Sequence, residues 1–189
     1  MLEYDILFIQ SSLVWMVGQV DRVGVIILFN ASLYTGTREE NYTLLIKQLT
    51  GLVEDESSRI ANLANASALL GQFLDDINWV GFYLLEGNEL VLGPFQGKPA
   101  CTRIAVGKGV CGAAIARKEA VLVEDVHQFP GHIACDSASN SELVIPLYSG
   151  GGLIGVLDID SPSFGRFDET DLQYLTIFNE RLGEHLHNC

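Results

Sequence analysis

Two hairpin signatures constrain this chain more than any other feature of it. Trp79–Leu85 and Glu89–Phe95 flank Glu86-Gly87-Asn88, and Leu143–Tyr148 and Leu153–Ile159 flank Gly150-Gly151-Gly152. Runs rich in branched and aromatic residues, joined by short Gly- and Asn-containing turns, read as antiparallel strand pairs. Val121–Val126 is a further predicted strand. Helical periodicity brackets these strands. Leu44, Leu45, Leu49, Leu52 and Val53 suggest a short helix. Ile60, Leu63, Ala64, Ser67, Leu70, Phe73, Leu74 and Ile77 recur at steps of three and four, the spacing of one buried helical face. One more short helix is predicted between Val110 and Arg117. A last one begins near Asp168, an N-cap with Asp171 three residues on, and turns Leu172, Leu175, Phe178 and Leu182 inward. Helices, then hairpins, then a helix predict an α+β fold, a central antiparallel sheet with helices packed on it.

The 189 residues suffice for one domain with a substantial core, assigned to residues 41–187. Residues 1–40 read differently. Their apolar runs Ile6–Ile9, Leu13–Val17 and Val23–Phe29 are broken by Glu3, Asp5, Asp21 and Arg22. None approaches the roughly 18 apolar residues of a membrane span. The segment is read as an extension from an upstream translation start, in preference to an extra structural element. Its first basic residue, Arg22, follows the first apolar runs rather than preceding them, which is not the order of a secretory signal. A cytoplasmic location with reduced thiols is the expectation. The net charge of −13 argues against nucleic acid and against anionic membrane surfaces as partners.

Four cysteines are the candidate chemistry: Cys101, Cys111, Cys135 and Cys189. The first three fall in Gly- and Pro-rich stretches, at turns or element edges, where solvent access permits redox exchange. A buried small hydrophobe is the competing reading for each one alone. Cys189 ends the chain and is assigned no role. A zinc site from His127, His132, Cys101, Cys111 and Cys135 is disfavoured, because His-x4-His-x2-Cys is not a zinc spacing and no Cys-x-x-Cys occurs. Glu142 opens an apolar strand, and Asp158 and Asp160 share one face at the end of its predicted partner. Three acids so grouped repel one another unless a cation joins them, either a ligand's ammonium or a metal ion; the alternative is a solvated strand end. Trp79 and Tyr83, four apart on a strand, share a face and form either core or the wall of a small-ligand pocket.

From about Asn62 to Leu182 the sequence resembles the free methionine-(R)-sulfoxide reductases, a GAF-domain family. The resemblance rests on Asp76-Ile77-Asn78-Trp79-Val80-Gly81-Phe82-Tyr83, Leu92-Gly93-Pro94-Phe95-Gln96-Gly97, Gly109-Val110-Cys111-Gly112, Gly131-His132-Ile133-Ala134-Cys135-Asp136 and Gly155-Val156-Leu157-Asp158-Ile159-Asp160-Ser161. It implies that Cys135 attacks the sulfoxide, that Cys101 is the main resolving thiol and that Cys111 is an auxiliary one. It also implies that Trp79 and Tyr83 line the methionine pocket and that Glu142, Asp158 and Asp160 hold the substrate's polar groups. Recycling by thioredoxin, without a metal or organic cofactor, and a homodimer formed through helical faces are further implications. Two other functions stay open for such residues: a GAF module that senses a small ligand, and a thiol switch without a small substrate.

Overall fold

The computed structural model describes residues 34–132 and 136–187. The apolar runs before residue 34, Cys135 and Cys189 therefore lie outside the described residues, and so do the expectations that fall on them.

Helix α1 (Arg38–Val53) starts from a capping box in which Thr37 accepts from the Glu40 N–H and the Glu40 carboxylate accepts from the Thr37 N–H. The helix thus begins a little before Asn41. Helix α2 (Arg59–Phe73) is capped by Ser58 and buries Asn62, Leu63, Ala66, Ser67, Leu69 and Leu70. Its buried stripe is rotated toward Asn62, Ala66 and Leu69, which leaves Ile60, expected inward, 72% exposed. Ile77 is not helical: Leu74 turns extended and Asp76 takes a positive φ of 56°, which ends the helix.

Six strands follow: β1 (Trp79–Glu86), β2 (Glu89–Gly97), β3 (Arg103–Ala105), β4 (Val121–Val123), β5 (Ser141–Ser149) and β6 (Gly152–Ser161). They form one sheet in the order β3-β2-β1-β6-β5-β4, antiparallel throughout. Both predicted hairpins are present. Gly150 and Gly151 take φ of 58° and 78° between β5 and β6, the left-handed conformations that a tight two-residue turn demands. Strand β3 was not predicted, because only Ile104 of its three residues is buried and no periodicity can show. The predicted strand Val121–Val126 stops at Val123, since Asp125 caps a 3₁₀ turn at Val126–Gln128 by accepting from the His127 N–H. Helix α3 (Gly109–Arg117) lies between β3 and β4 in the chain, and α4 (Glu169–Leu186) closes it. Asp168 and Asp171 form the expected cap of α4, here a full capping box.

Strand alternation splits the interior into two cores. Val80, Phe82, Leu143, Ile145, Leu147, Leu157 and Ile159 pack with α1, α2 and α4 on one face. Trp79, Tyr83, Leu90, Ile104, Val144 and Val156 pack with Val110, Cys111, Ala114 and Ile115 of α3 on the other. The first core carries most of the stability, and Asp171 ties its helices together. Only 1% exposed, that carboxylate takes Arg38 of α1 at 2.6 Å and Arg166 at 3.1 Å, and accepts from the Tyr42 hydroxyl. Asp171→Ala takes one carboxylate partner from each of Arg38 and Arg166 and leaves the buried Tyr42 hydroxyl without its acceptor, and we expect a loss of about 3 kcal/mol in unfolding free energy, read as the shift of a urea midpoint. A shift below the error of the measurement contradicts this account of the helix layer.

Candidate active site

The site is assembled by strand register. Trp79 of β1 pairs with Asp160 of β6, and Asp160 pairs with Glu142 of β5, so three side chains stand in one row across the sheet. In the next row Gly81 pairs with Asp158 and Asp158 with Val144; beyond it Tyr83 pairs with Val156. The period of two brings Asp158 and Asp160 to the same side as Trp79 and Tyr83. Gly81 lies between the two aromatics, where a Cβ would stand 2.3 Å from the Cβ of Phe95. Its lack of a side chain lets Phe95 stack on Trp79 at 5.3 Å, while Tyr83 stacks on the same indole at 5.8 Å. Gly97, at φ 137°, passes so close to the indole that any side chain there would strike it.

A cleft opens above these rows. One part is lined by Ile104, Cys111, His132, Glu142, Asp158 and Asp160, and its neighbour by Trp79, Tyr83, Pro99, Asp158 and Asp160. The structure therefore gathers every expected site residue among those described apart from Cys101, which lines neither part of the cleft. Glu142 and Asp158 are each 6% exposed, so these acids are not a solvated strand end. Trp79 and Tyr83 are 3% and 1% exposed, and they are at once core and pocket wall. Cys111 departs from expectation. It lies in the first turn of α3 and is 3% exposed, not solvent-accessible, because Gly112 lets the helix pack closely on the Ala105 carbonyl. Cys111 is a free thiol and Cys101 is disulfide-bonded. Cys101 is half-buried, and its carbonyl accepts from the Tyr83 hydroxyl at 2.9 Å.

Burial governs the electrostatics. It lifts Glu142 and Asp160 well above the usual carboxylate range, with Asp158 adding to both, and it pushes Asp158 up to about 6. The Cys111 thiol is raised by burial and then by Asp158 and Glu142, and it points at Glu142 Oε1 from 4.0 Å. Burial and then Asp158 raise Tyr83, which keeps its hydroxyl a donor. His132, lowered by burial and by His127, stands with Nε2 3.9 Å from Glu142 Oε2. His127 is on the surface, bonded to Asn140. Cys111, Glu142 and Asp158 converge: one donor atom of each lies within 4.8 Å of the others.

The GAF-domain family model matches residues 63–187. Over 138 residues the chain is 59% identical to the free methionine-R-sulfoxide reductase of Escherichia coli (strain K12), covering 73% of this chain and 84% of that one. The solved fRMsr of Staphylococcus aureus in its reduced form is similar at 56% identity and a TM-score of 0.75, covering 77% of this chain and 95% of that one. The free methionine-R-sulfoxide reductase from Neisseria meningitidis, solved in complex with its substrate, is similar at 46% identity and a TM-score of 0.77, with 82% and 93% covered. The chain belongs to the GAF-domain family of free methionine-R-sulfoxide reductases.

Several residues of this reductase-family site escaped the sequence reading. Asn78 donates to Asp136 Oδ2 at 3.2 Å and to Ser139 Oγ at 3.0 Å, and Lys98 lies 3.3 Å from the same Asp136 oxygen. With the Trp79 indole N–H donating to the Lys98 carbonyl at 3.1 Å, these contacts tie the loop before Cys101 to the loop after Cys135. The Ala138 N–H, then Asn78 and Lys98, hold Asp136 below its ordinary range, so it stays ionised beside the protonatable trio. Asp136 belongs to a sequence motif, yet nothing in the residue pattern assigns it a partner.

A carboxyl group raised in the folded state stabilises the fold below its unfolded pKa, and that contribution is lost as pH climbs through the folded value. For Asp158 the window runs from the ordinary 3.8 to about 6. Asp158→Asn should therefore flatten the fall in melting temperature between about pH 4 and about pH 7, and raise stability near neutrality by on the order of 2 kcal/mol. Thermal unfolding across that range checks it, and an unchanged slope contradicts it.

Proposed function

We propose that this chain reduces free L-methionine (R)-sulfoxide to L-methionine by thiol chemistry. The observation that carries this reading is the meeting of three largely buried carboxylates, Glu142, Asp158 and Asp160, with the stacked Trp79–Tyr83 wall in one cleft. Such a site demands a cation on one side and an apolar group on the other. A free amino acid ending in a methyl sulfoxide supplies both. The Escherichia coli and Neisseria meningitidis relatives, both free methionine-R-sulfoxide reductases, agree with this reading.

In this scheme Cys135 attacks the sulfoxide sulfur as thiolate. Oxide is a poor leaving group, so the oxygen must be protonated, and burial, which raises Glu142 and Asp160 well above the usual carboxylate range, makes one of these acids the proton donor. The oxygen passes to the cysteine sulfur, methionine leaves, and a sulfenic acid remains. Cys101 condenses with it, forming a disulfide and releasing water. The disulfide that Cys101 carries and its half-buried position support its role as the resolving thiol. Cys111, buried and free, serves as the auxiliary thiol. An external dithiol such as thioredoxin restores both thiols by exchange, so two electrons and two protons enter per methionine formed. The scheme draws on no resident metal or organic cofactor and belongs to a reducing compartment such as the cytoplasm. The remaining acids hold the substrate ammonium, a contact that methionine within a peptide chain cannot make.

The test is thioredoxin-coupled reductant consumption with the free R epimer, the S epimer and the N-acetylated sulfoxide side by side. Turnover of the free R epimer alone is expected, and turnover of none by fully reduced protein overturns the reading. Cys135→Ser abolishes methionine release even in a single turnover, whereas Cys101→Ser releases about one methionine per chain and then slows. Asp160→Asn and Glu142→Gln each lower kcat/KM by about 100-fold or more. Normal turnover with either variant leaves a carboxylate-independent thiol switch as the better description.

A further inference from the structure

We propose that Cys111, Glu142 and Asp158, with His132 at their edge, form a binding site for a borderline-soft divalent transition ion of the zinc class. The three donor atoms already lie within 4.8 Å of one another. Two ligand atoms on one Zn²⁺ stand roughly 3–4 Å apart, so small side-chain rotations complete the contact. The donors are largely dry, with Cys111 3% and both acids 6% exposed. A second observation is independent of the clustering: Asp158 Oδ1 is buried and has no hydrogen-bond partner. Asp158 lines the cleft, and a buried carboxylate oxygen without a hydrogen-bond partner calls for a positive one. His132 lines the same cleft, with Nε2 3.9 Å from Glu142 Oε2, and supplies a fourth donor of the right kind.

Donor chemistry selects the ion. One sulfur, two carboxylate oxygens and one imidazole nitrogen suit Zn²⁺ or Co²⁺, whereas Mg²⁺ and Ca²⁺ take oxygen alone. The thiol is available, because Cys111 stays free while Cys101 is held in a disulfide. Coordination replaces the thiol's proton by the metal and uses the carboxylates that an ammonium group would need. The ion is therefore an inhibitor of sulfoxide reduction, competitive with the amino acid; this consequence rests on the proposed function, while binding itself does not.

The full chain, reduced with a phosphine and freed of it, is titrated with Co²⁺ and followed by thiolate-to-cobalt charge-transfer absorption. One equivalent should bind with that signature, Zn²⁺ should displace it, and Mg²⁺ should not. Cys111→Ser should abolish the band while Cys101→Ser and Cys135→Ser keep it. Glu142→Gln, a near-isosteric change, should keep the band and weaken binding by about tenfold or more. A missing band, or one that follows Cys135 instead of Cys111, overturns the site. In turnover assays Zn²⁺ should raise the apparent KM for the sulfoxide without lowering kcat, and a pure kcat effect overturns the competitive placement. Because the cobalt titration reads no turnover, a chain that binds Co²⁺ through Cys111 but reduces no sulfoxide loses the proposed function and keeps the metal site.

Discussion

The pairing of β1 with β6 underlies the rest of this molecule. It joins the two hairpins into one sheet and sets Trp79 against Asp160 and Gly81 against Asp158. The β5–β6 turn then carries Glu142 onto the same row. Had β1 slipped by one residue, its alternation would send Trp79 and Tyr83 into the helix-covered core and Val80 and Phe82 into the cleft. The large apolar face shared with α1, α2 and α4 opposes such a slip. The site thus inherits its precision from packing on the opposite side of the sheet.

That packing also carries an electrostatic burden. Glu142, Asp158 and Asp160 are crowded and desolvated, and each titrates above the ordinary carboxylate range. A fold tolerates such a cluster only where other layers supply stability, and here they do. The contrast with Asp171 is instructive. It is as deeply buried, yet two guanidinium groups and a tyrosine hydroxyl satisfy it, so its charge knits the helices together.

The described cysteines divide along the same lines. Cys101 lies on a loop held by the Tyr83 hydroxyl and the Trp79 indole N–H, and it is half-buried. Cys111 is enclosed in the first turn of α3, and its thiol form is favoured by burial and by the neighbouring acids. Exposure and charge separate the two sulfurs. The Lys98–Asp136 pair and the Asn78 amide link the loop before Cys101 to Asp136, next to the strand that bears Trp79.

Much of this was legible in the residues themselves. Strand-rich runs around Gly- and Asn-containing turns marked both hairpins, the Asp168–Asp171 spacing marked the start of α4, and alternation marked Asp158 and Asp160 as sharing one face. These signals are local: each depends on neighbours a few positions apart, where backbone geometry dictates which side chains share a face. The short strand β3, the outward turn of Ile60 and the burial of Cys111 left no such trace, since each depends on which distant surface lies opposite. The same holds for the links from Asn78 and Lys98 to Asp136, which join loops far apart in the chain. Sequence alone determined which groups were available and on which face of each element they stand. Only the tertiary structure decided how dry they are, because desolvation is set by everything packed around a group, and it is desolvation that lifts three ordinary acids above the usual carboxylate range.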